Sequence, residues 1–215
     1  MEDLRENLWS HFFKSPRKNY NPYMFRLLDY PEYIIYDKKI MDSYKGKWHE
    51  FFGNDNPIYL EIGSGSGNFA QGMAKRYPER NHMGLELRFK RLVLSANKVK
   101  RDGSTNALFL RRRGEEILEF VAENEVDGIY VNFPDPWEEN EKNRVVQESF
   151  FKTLDVILKK GGMFYFKTDH DKYYQDVIDL VESLDGYRVV YHTADLHKSE
   201  KAADNIKTEF EQLFL

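Results

Sequence analysis

Glu61, Gly63, Gly65 and Gly67 stand at alternate positions behind Ile58-Tyr59-Leu60, a run that reads as a buried strand closing on a carboxylate and a glycine turn. Alternate glycines let the backbone turn sharply and approach a ligand without Cβ obstruction. A helix starting near Ser66 would then aim its free N–H groups at that ligand. The spacing is Glu-x-Gly-x-Gly-x-Gly and not the Gly-x-Gly-x-x-Gly of a dinucleotide site. It favours S-adenosylmethionine (SAM), which has no pyrophosphate to cradle and whose cationic methionine end suits a glutamate before the glycines. A glycine turn that merely joins strand to helix has the same composition.

Glu86 is the second carboxylate. It ends His82-Met83-Gly84-Leu85-Glu86, a short apolar strand about 20 residues beyond the glycine turn, where an acidic side chain can accept from both hydroxyls of a ribose. A glutamate that only opens the following helix would look alike. A third carboxylate, Asp135, lies in Asn132-Phe133-Pro134-Asp135-Pro136-Trp137. Prolines on both sides fix φ and hold the acid at the end of a strand beside the cofactor. The plainer alternative is a proline-rich surface turn with Trp137 packed on it.

Elements must carry these residues to one place. The periodicities predict strands at 58–62, 82–86, 107–111, 127–132, 162–168, 187–192 and 206–214, and helices at 66–77, 88–101, 114–123, 144–159 and 170–184. Strand and helix alternate with short connections. The expected fold is therefore α/β, a doubly wound, mostly parallel seven-stranded sheet with helices on both faces, whose ligands gather at the C-terminal strand ends near the switch point. Residues 1–43 show no clean period and hold Tyr20, Tyr23, Tyr30, Tyr33 and Tyr36 among Pro16, Pro22 and Pro31. They are expected as an irregular aromatic and basic arm that orders on a partner, before a catalytic domain over 44–215.

The 215 residues, 41% hydrophobic and 15% aromatic, suffice for a real core. The longest apolar runs are strand-length, far short of the roughly 20 residues of a membrane span, and the first residues lack the apolar core of a signal peptide. Without cysteine there is no disulfide framework, thiolate metal site or cysteine nucleophile. A cytoplasmic protein with no membrane contact and no metal is expected. The net charge of −4 argues against a general nucleic-acid coat, yet cations cluster at Lys14, Arg17 and Lys18, along 88–101, and at Arg111, Arg112 and Arg113. Such clusters either grip a polyanion on one face or simply solvate helices.

The segments Leu60-Glu61-Ile62-Gly63, Gly84-Leu85-Glu86, Asn132 to Trp137, Phe166-Lys167-Thr168-Asp169 and Thr208-Glu209-Phe210-Glu211 follow the order and spacing of the bacterial tRNA (guanine-N7-)-methyltransferases. The chain resembles that family over about residues 44–214, including Tyr44-Lys45-Gly46-Lys47-Trp48. The resemblance implies the Rossmann-like fold of class I methyltransferases, SAM as cofactor, tRNA as partner, and methylation of N7 of guanine 46 in the variable loop. It implies SAM binding through Glu61, Gly63, Gly65, Gly67, Glu86 and Asp135, with Asp135 catalytic. Substrate contacts would come from Asp169, Thr208, Glu209, Phe210 and Glu211. Two positions depart from the pattern. Glu139 occupies the place of a substrate-binding lysine, in an acidic run that replaces a basic one, and Arg113 occupies the place of an adenine-contacting aspartate, unless Glu115 or Glu116 serves. An exocyclic amino-methyltransferase acting on another nucleic acid, or a SAM- and RNA-binding protein without transferase activity, are the competing readings. Oligomeric state is open between monomer and homodimer.

Overall fold

The computed structural model describes residues 8–13 and 21–214. Strands β1 (Ile34–Ile35), β2 (Ile58–Ile62), β3 (Asn81–Leu85), β4 (Ala107–Leu110), β5 (Val126–Asn132) and β6 (Leu158–Lys167) form a single sheet in the order β1-β4-β3-β2-β5-β6. Every adjacent pair is parallel. Beyond a helical stretch at 8–12, the helices among the described residues are α1 (Tyr23–Arg26), α2 (Lys38–Ser43), α3 (Trp48–Phe52), α4 (Asn68–Arg76), α5 (Phe89–Asp102), α6 (Ile117–Phe120), α7 (Glu148–Ile157), α8 (Asp171–Ser183) and α9 (Glu209–Phe214).

Both faces of the sheet are covered, which is why its inner strands read as continuous apolar runs. Ile58, Leu60, Met83, Leu108, Ile129 and Val131 join Trp48, Phe120, Phe151 and Leu154 in one core. Ala70, Ala74, Leu92, Val93, Ala96 and Val99 pack with Phe109 and Ile34 in the other. Side chains alternate between the faces, so Leu60 enters the first core while Tyr59 packs on Phe69, Met73 and Tyr130. The strand order reverses beside β2, which pairs with β3 on one side and β5 on the other.

Three expectations change. The sheet has six strands among the described residues: 187–192 pairs with nothing, and Val190 and Tyr191 face solvent. The segment 206–214 holds helix α9 instead of a strand. Thr208 Oγ1 accepts from the Glu211 amide at 3.1 Å, and a Glu211 carboxylate oxygen accepts from the Thr208 amide at 2.8 Å, the reciprocal capping box that starts a helix. Residues 21–43, expected in an irregular arm, pack instead: Met24, Leu27, Tyr30 and Met41 are buried, Asp37 caps α2, and β1 extends the sheet beside β4. The cluster of Lys14, Arg17 and Lys18 lies outside the described residues. Among the described residues no helix is long and apolar enough to cross a membrane.

Candidate cofactor and substrate site

The parallel sheet sends the ends of β3, β2, β5 and β6 to one edge, and with them Glu86, Glu61, Asn132 and Lys167. Between β2 and α4 the chain passes through Gly63, Gly65 and Gly67 with φ of +77°, +58° and +79°, all in the left-handed region. At Gly67 space is equally decisive: a Cβ there would stand 2.6 Å from Ser95 Cβ, so glycine is what lets the loop close onto α5. Added Cβ atoms at Gly63 and Gly65 would meet no atom within 4 Å. Ser95 Oγ donates to the Gly65 carbonyl at 3.2 Å, and Lys98 Nζ donates to the Ser66 carbonyl at 2.8 Å, so α5 holds the loop from below.

Glu61 is buried, and one carboxylate oxygen accepts from Asn132 Nδ2 at 2.9 Å. Its Oε2 and the Oδ1 of Asn132 are buried acceptors with no protein partner. Burial pushes the Glu61 carboxyl up to about 7, Asn132 and Lys167 pull it down, and the charge of Glu86 pushes it further up. Two acidic groups within each other's field, beside two free buried acceptors, fit a cationic ligand with hydrogen-bond donors. They suit the aminocarboxypropyl sulfonium of SAM, whose cationic groups two carboxylates attract. Glu61, Asn132 and the glycine loop would hold its methionine end. Glu86 is buried too: its Oε1 accepts from the Leu87 and Arg88 amides, both at 2.8 Å, and its Oε2 faces Arg91 at 3.6 Å. It thus opens the next helix and still stands at the strand tip.

Asp135 is exposed at the end of β5. The residues flanking its prolines, Phe133 and Trp137, have φ of +49° and +46°. Each such conformation costs a residue with a side chain about 1–3 kcal/mol, a strain that persists where surroundings enforce it. Phe133 is fixed by its amide, which donates to the Lys167 carbonyl at 2.8 Å, and its ring lies 4.8 Å from that of Phe210.

Helix α9 folds back onto this edge. Ser66 Oγ donates to Glu209 at 2.6 Å, and Asn68 Nδ2 to Gln212 at 3.1 Å. Lys167 Nζ reaches Asn205 Oδ1 at 2.5 Å and Glu211 at 3.2 Å. Thr208 to Glu211 are therefore brought against the cofactor loop, although Thr208 and Glu211 are buried and spent on their own capping box and on Lys167. Glu209 and Phe210 are the members directed at Ser66 and Phe133. Asp169 is exposed in the turn after β6. Glu139 is exposed in the turn after Trp137, between Glu138, which meets His170 at 3.3 Å, and Glu141, which meets Lys172 at 2.8 Å. Arg113 is exposed after β4, while Glu116 is engaged by Lys38 and Arg112. Nothing in the structure joins Arg113, Glu139 or Asp169 directly to Glu61.

Sequence reasoning did not single out Asn132, Ser66 or Lys167, which the fold brings to this edge. Asn132 and Lys167 lay inside the recognised segments, and the register that pairs them across β5 and β6 is a property of the sheet. Among the described residues no group of three or more His, Asp or Glu is placed to hold a metal.

A family model described as "Putative methyltransferase" matches residues 55–215. The "Bifunctional glycosyltransferase/methyltransferase" of Fusobacterium nucleatum subsp. nucleatum is 61% identical over 218 aligned positions, covering 100% of this chain and 34% of that protein. The chain thus spans about a third of the length of that relative. The "tRNA (guanine-N(7)-)-methyltransferase" of Enterococcus faecalis is 39% identical over 189 residues, 86% of this chain and 85% of that protein. The protein of the same name from Bacillus subtilis is 38% identical over 175 residues, 80% and 81% of the two chains. Likeness at this level, spread over most of both chains and joined to a glycine loop and paired carboxylates at the switch point of a parallel sheet, places the chain in the bacterial tRNA (guanine-N7-)-methyltransferase family of SAM-dependent enzymes.

Proposed function

We propose that this chain transfers a methyl group from SAM to N7 of a guanine in tRNA, at position 46 of the variable loop. The observation that carries the reading is the buried Glu61–Asn132 pair with its two free acceptors at the switch point, where Asn132 ends β5 three residues before Asp135 and Glu61 lies on the adjacent strand β2. The names of the Enterococcus and Bacillus relatives supply the target atom. From the bifunctional Fusobacterium protein only the methyl-transfer half of the name is taken over, because this chain spans 34% of it.

SAM supplies an electrophilic methyl group on a sulfonium. Guanine N7 offers a lone pair and carries no proton at neutral pH, so no side chain has to act as a base. The protein's task is orientation, worth up to roughly 7–11 kcal/mol, and electrostatics. Glu61 and Asn132 bind the cationic end of the cofactor, and Glu86 its ribose. Asp135 stands where a carboxylate favours the positive charge that grows on the guanine ring. Asp169 and Glu209 hold the base edge, and Phe133 and Phe210 offer rings for stacking. Cytoplasmic location fits a tRNA substrate.

The test is mass spectrometry of nucleosides from bulk tRNA incubated with the protein and methyl-labelled SAM. Label in 7-methylguanosine supports the reading. Label on an exocyclic amine, or SAM binding without transfer, overturns it.

A further inference from the structure

Behind the Asp135 loop lies a guanidinium that the reaction itself does not require. The Arg144 side chain is only 4% exposed. Its Nε donates to the Pro136 carbonyl at 2.6 Å, its Nη1 to Asp176 on α8 at 2.7 Å, and its Nη2 stands 3.3 Å from Glu141. The guanidinium lies over the ring of Tyr173, 4.5 Å from its centre, and the Tyr173 hydroxyl accepts from the Val146 amide at 2.9 Å. One planar group therefore ties the loop to α8 and to the turn at 141–143. Phe133 anchors the start of the loop through the Lys167 carbonyl and the ring of Phe210, and Glu138 anchors its end through His170; between them the Pro136 carbonyl is held by Arg144. Pro134 and Pro136 have no N–H to donate, so a carbonyl is the available handle, and Phe133 and Trp137 hold backbone conformations that relax unless enforced.

We infer that Arg144 is a positioning residue that fixes the Pro136 carbonyl and thereby sets where the Asp135 carboxylate stands. The inference rests on the reading of Asp135 given above. A lysine offers a single point of charge and lacks the fork that reaches the Pro136 carbonyl, Asp176 and Glu141 together, so Arg144→Lys keeps the charge and loses the geometry. The acidic residues around it, Glu141 and Asp176, are also met by Lys172 at 2.8 and 2.7 Å, so their charges stay compensated in the variant.

Arg144→Lys should lower kcat about 10- to 100-fold while the SAM dissociation constant changes less than about twofold. Placed on Asp135→Asn, it should cost less than about threefold more, because a residue that acts through Asp135 has nothing left to position. Losses that multiply in the double variant would overturn the inference, as would an unchanged kcat. Hydrogen exchange supplies a readout without activity: the Asn140 amide, which donates to the Trp137 carbonyl at 2.8 Å, should exchange at least about tenfold faster in Arg144→Lys, while β2 and β5 keep their protection. Unchanged loop exchange overturns the inference even if the protein methylates no tRNA. Should Arg144→Lys unfold, Asp176→Asn loosens the same guanidinium by one hydrogen bond, and the same exchange pattern is expected in weaker form.

Discussion

Glu61 carries the largest electrostatic burden of any single residue in the site. Its carboxyl holds a proton up to about pH 7 in the fold, against about 4.5 when exposed. Between those values the native state binds more protons than the unfolded chain, so the contribution to stability is full below about pH 4.5 and is lost as pH rises through 7. The shift corresponds to about 3 kcal/mol. Wild type should therefore lose about that much stability relative to Glu61→Gln between pH 4 and pH 8. Denaturant unfolding at a series of pH values checks this, and His82, held neutral by burial in both proteins, cancels in the difference. Ligand affinity should run the other way, since only the ionised carboxylate attracts a cation: SAM binding by calorimetry should tighten toward pH 7 in wild type and stay flat in Glu61→Gln. In the proposed mechanism Asp135 acts on the rate instead. Asp135→Asn keeps the shape and removes the charge, so folding and SAM affinity should persist while methyl transfer falls about a hundredfold or more. A wild-type rate in that variant would assign the chemistry elsewhere. Because N7 loses no proton, the wild-type rate should show no basic limb from a general base near neutrality.

At the scale of elements the glycine loop separates two costs that a sequence motif runs together. Gly63 and Gly67 share a left-handed φ, but an added Cβ meets open space at Gly63 and Ser95 at Gly67. Gly63→Ala should cost about 1–2 kcal/mol from the backbone alone. Gly67→Ala should cost a further 1–3 kcal/mol or so, because α5 must move away from the loop. Thermal unfolding ranks the pair, and equal losses would mean that Ser95 yields freely. The loop, β2, β3, β4 and β5 were legible in the sequence because both faces of a parallel sheet are buried and leave apolar runs, ended by Gly63 after β2 and by Glu86 after β3. Other elements were not. Residues 187–192 have the β-branched content of a strand, but β6 pairs with β5 alone among the described residues, and Val190 stays 63% exposed. At 206–214 a strand was expected, whereas the Thr208-x-x-Glu211 spacing, a helix-start signal in the sequence itself, decides the outcome. Strand β1, at two residues, is too short for any period to declare it. In the site, Glu61 and Glu86 were legible as strand tips, while Lys167 and Arg144 were not, since their partners lie 44 and 32 positions away in the chain and only the fold brings them together.

Charge has to be read over the whole molecule, and there the basic triplet at Arg111, Arg112 and Arg113 comes apart. Arg111 donates to the Leu87 carbonyl at 3.1 Å and lies over the rings of Phe89 and Phe12 at 4.4 and 4.7 Å, so it is partly spent on packing. Arg112 has a fully buried side chain, stands 3.2 Å from Asp42 and 3.1 Å from Glu116, and also pairs with Glu119. It ties α2 to the turn before α6, and its buried guanidinium is spent on these acids. Arg113 alone is exposed, on the same sheet edge as the cofactor loop, with the exposed Arg88, Lys90 and Arg91 at the start of α5. The acidic turn after Trp137 is likewise less repulsive than its composition suggests, because Glu138 and Glu141 meet His170 and Lys172. Adjacent arginines should therefore give opposite phenotypes. Arg112→Met leaves Asp42 and Glu119, both partly exposed, without their shared cation and should destabilise the fold by about 1–3 kcal/mol, read in unfolding curves. In whatever fraction stays folded, the salt dependence of tRNA affinity should be unchanged. Arg113→Met should leave unfolding within about 0.5 kcal/mol of wild type. If Arg113 meets a tRNA phosphate, its removal should weaken binding across tRNAs alike and reduce the log–log salt slope by up to about 0.9. A salt slope that falls for Arg112→Met and not for Arg113→Met would put the RNA on the α2 side of the sheet and not on the edge where Glu61, Glu86 and Asp135 converge.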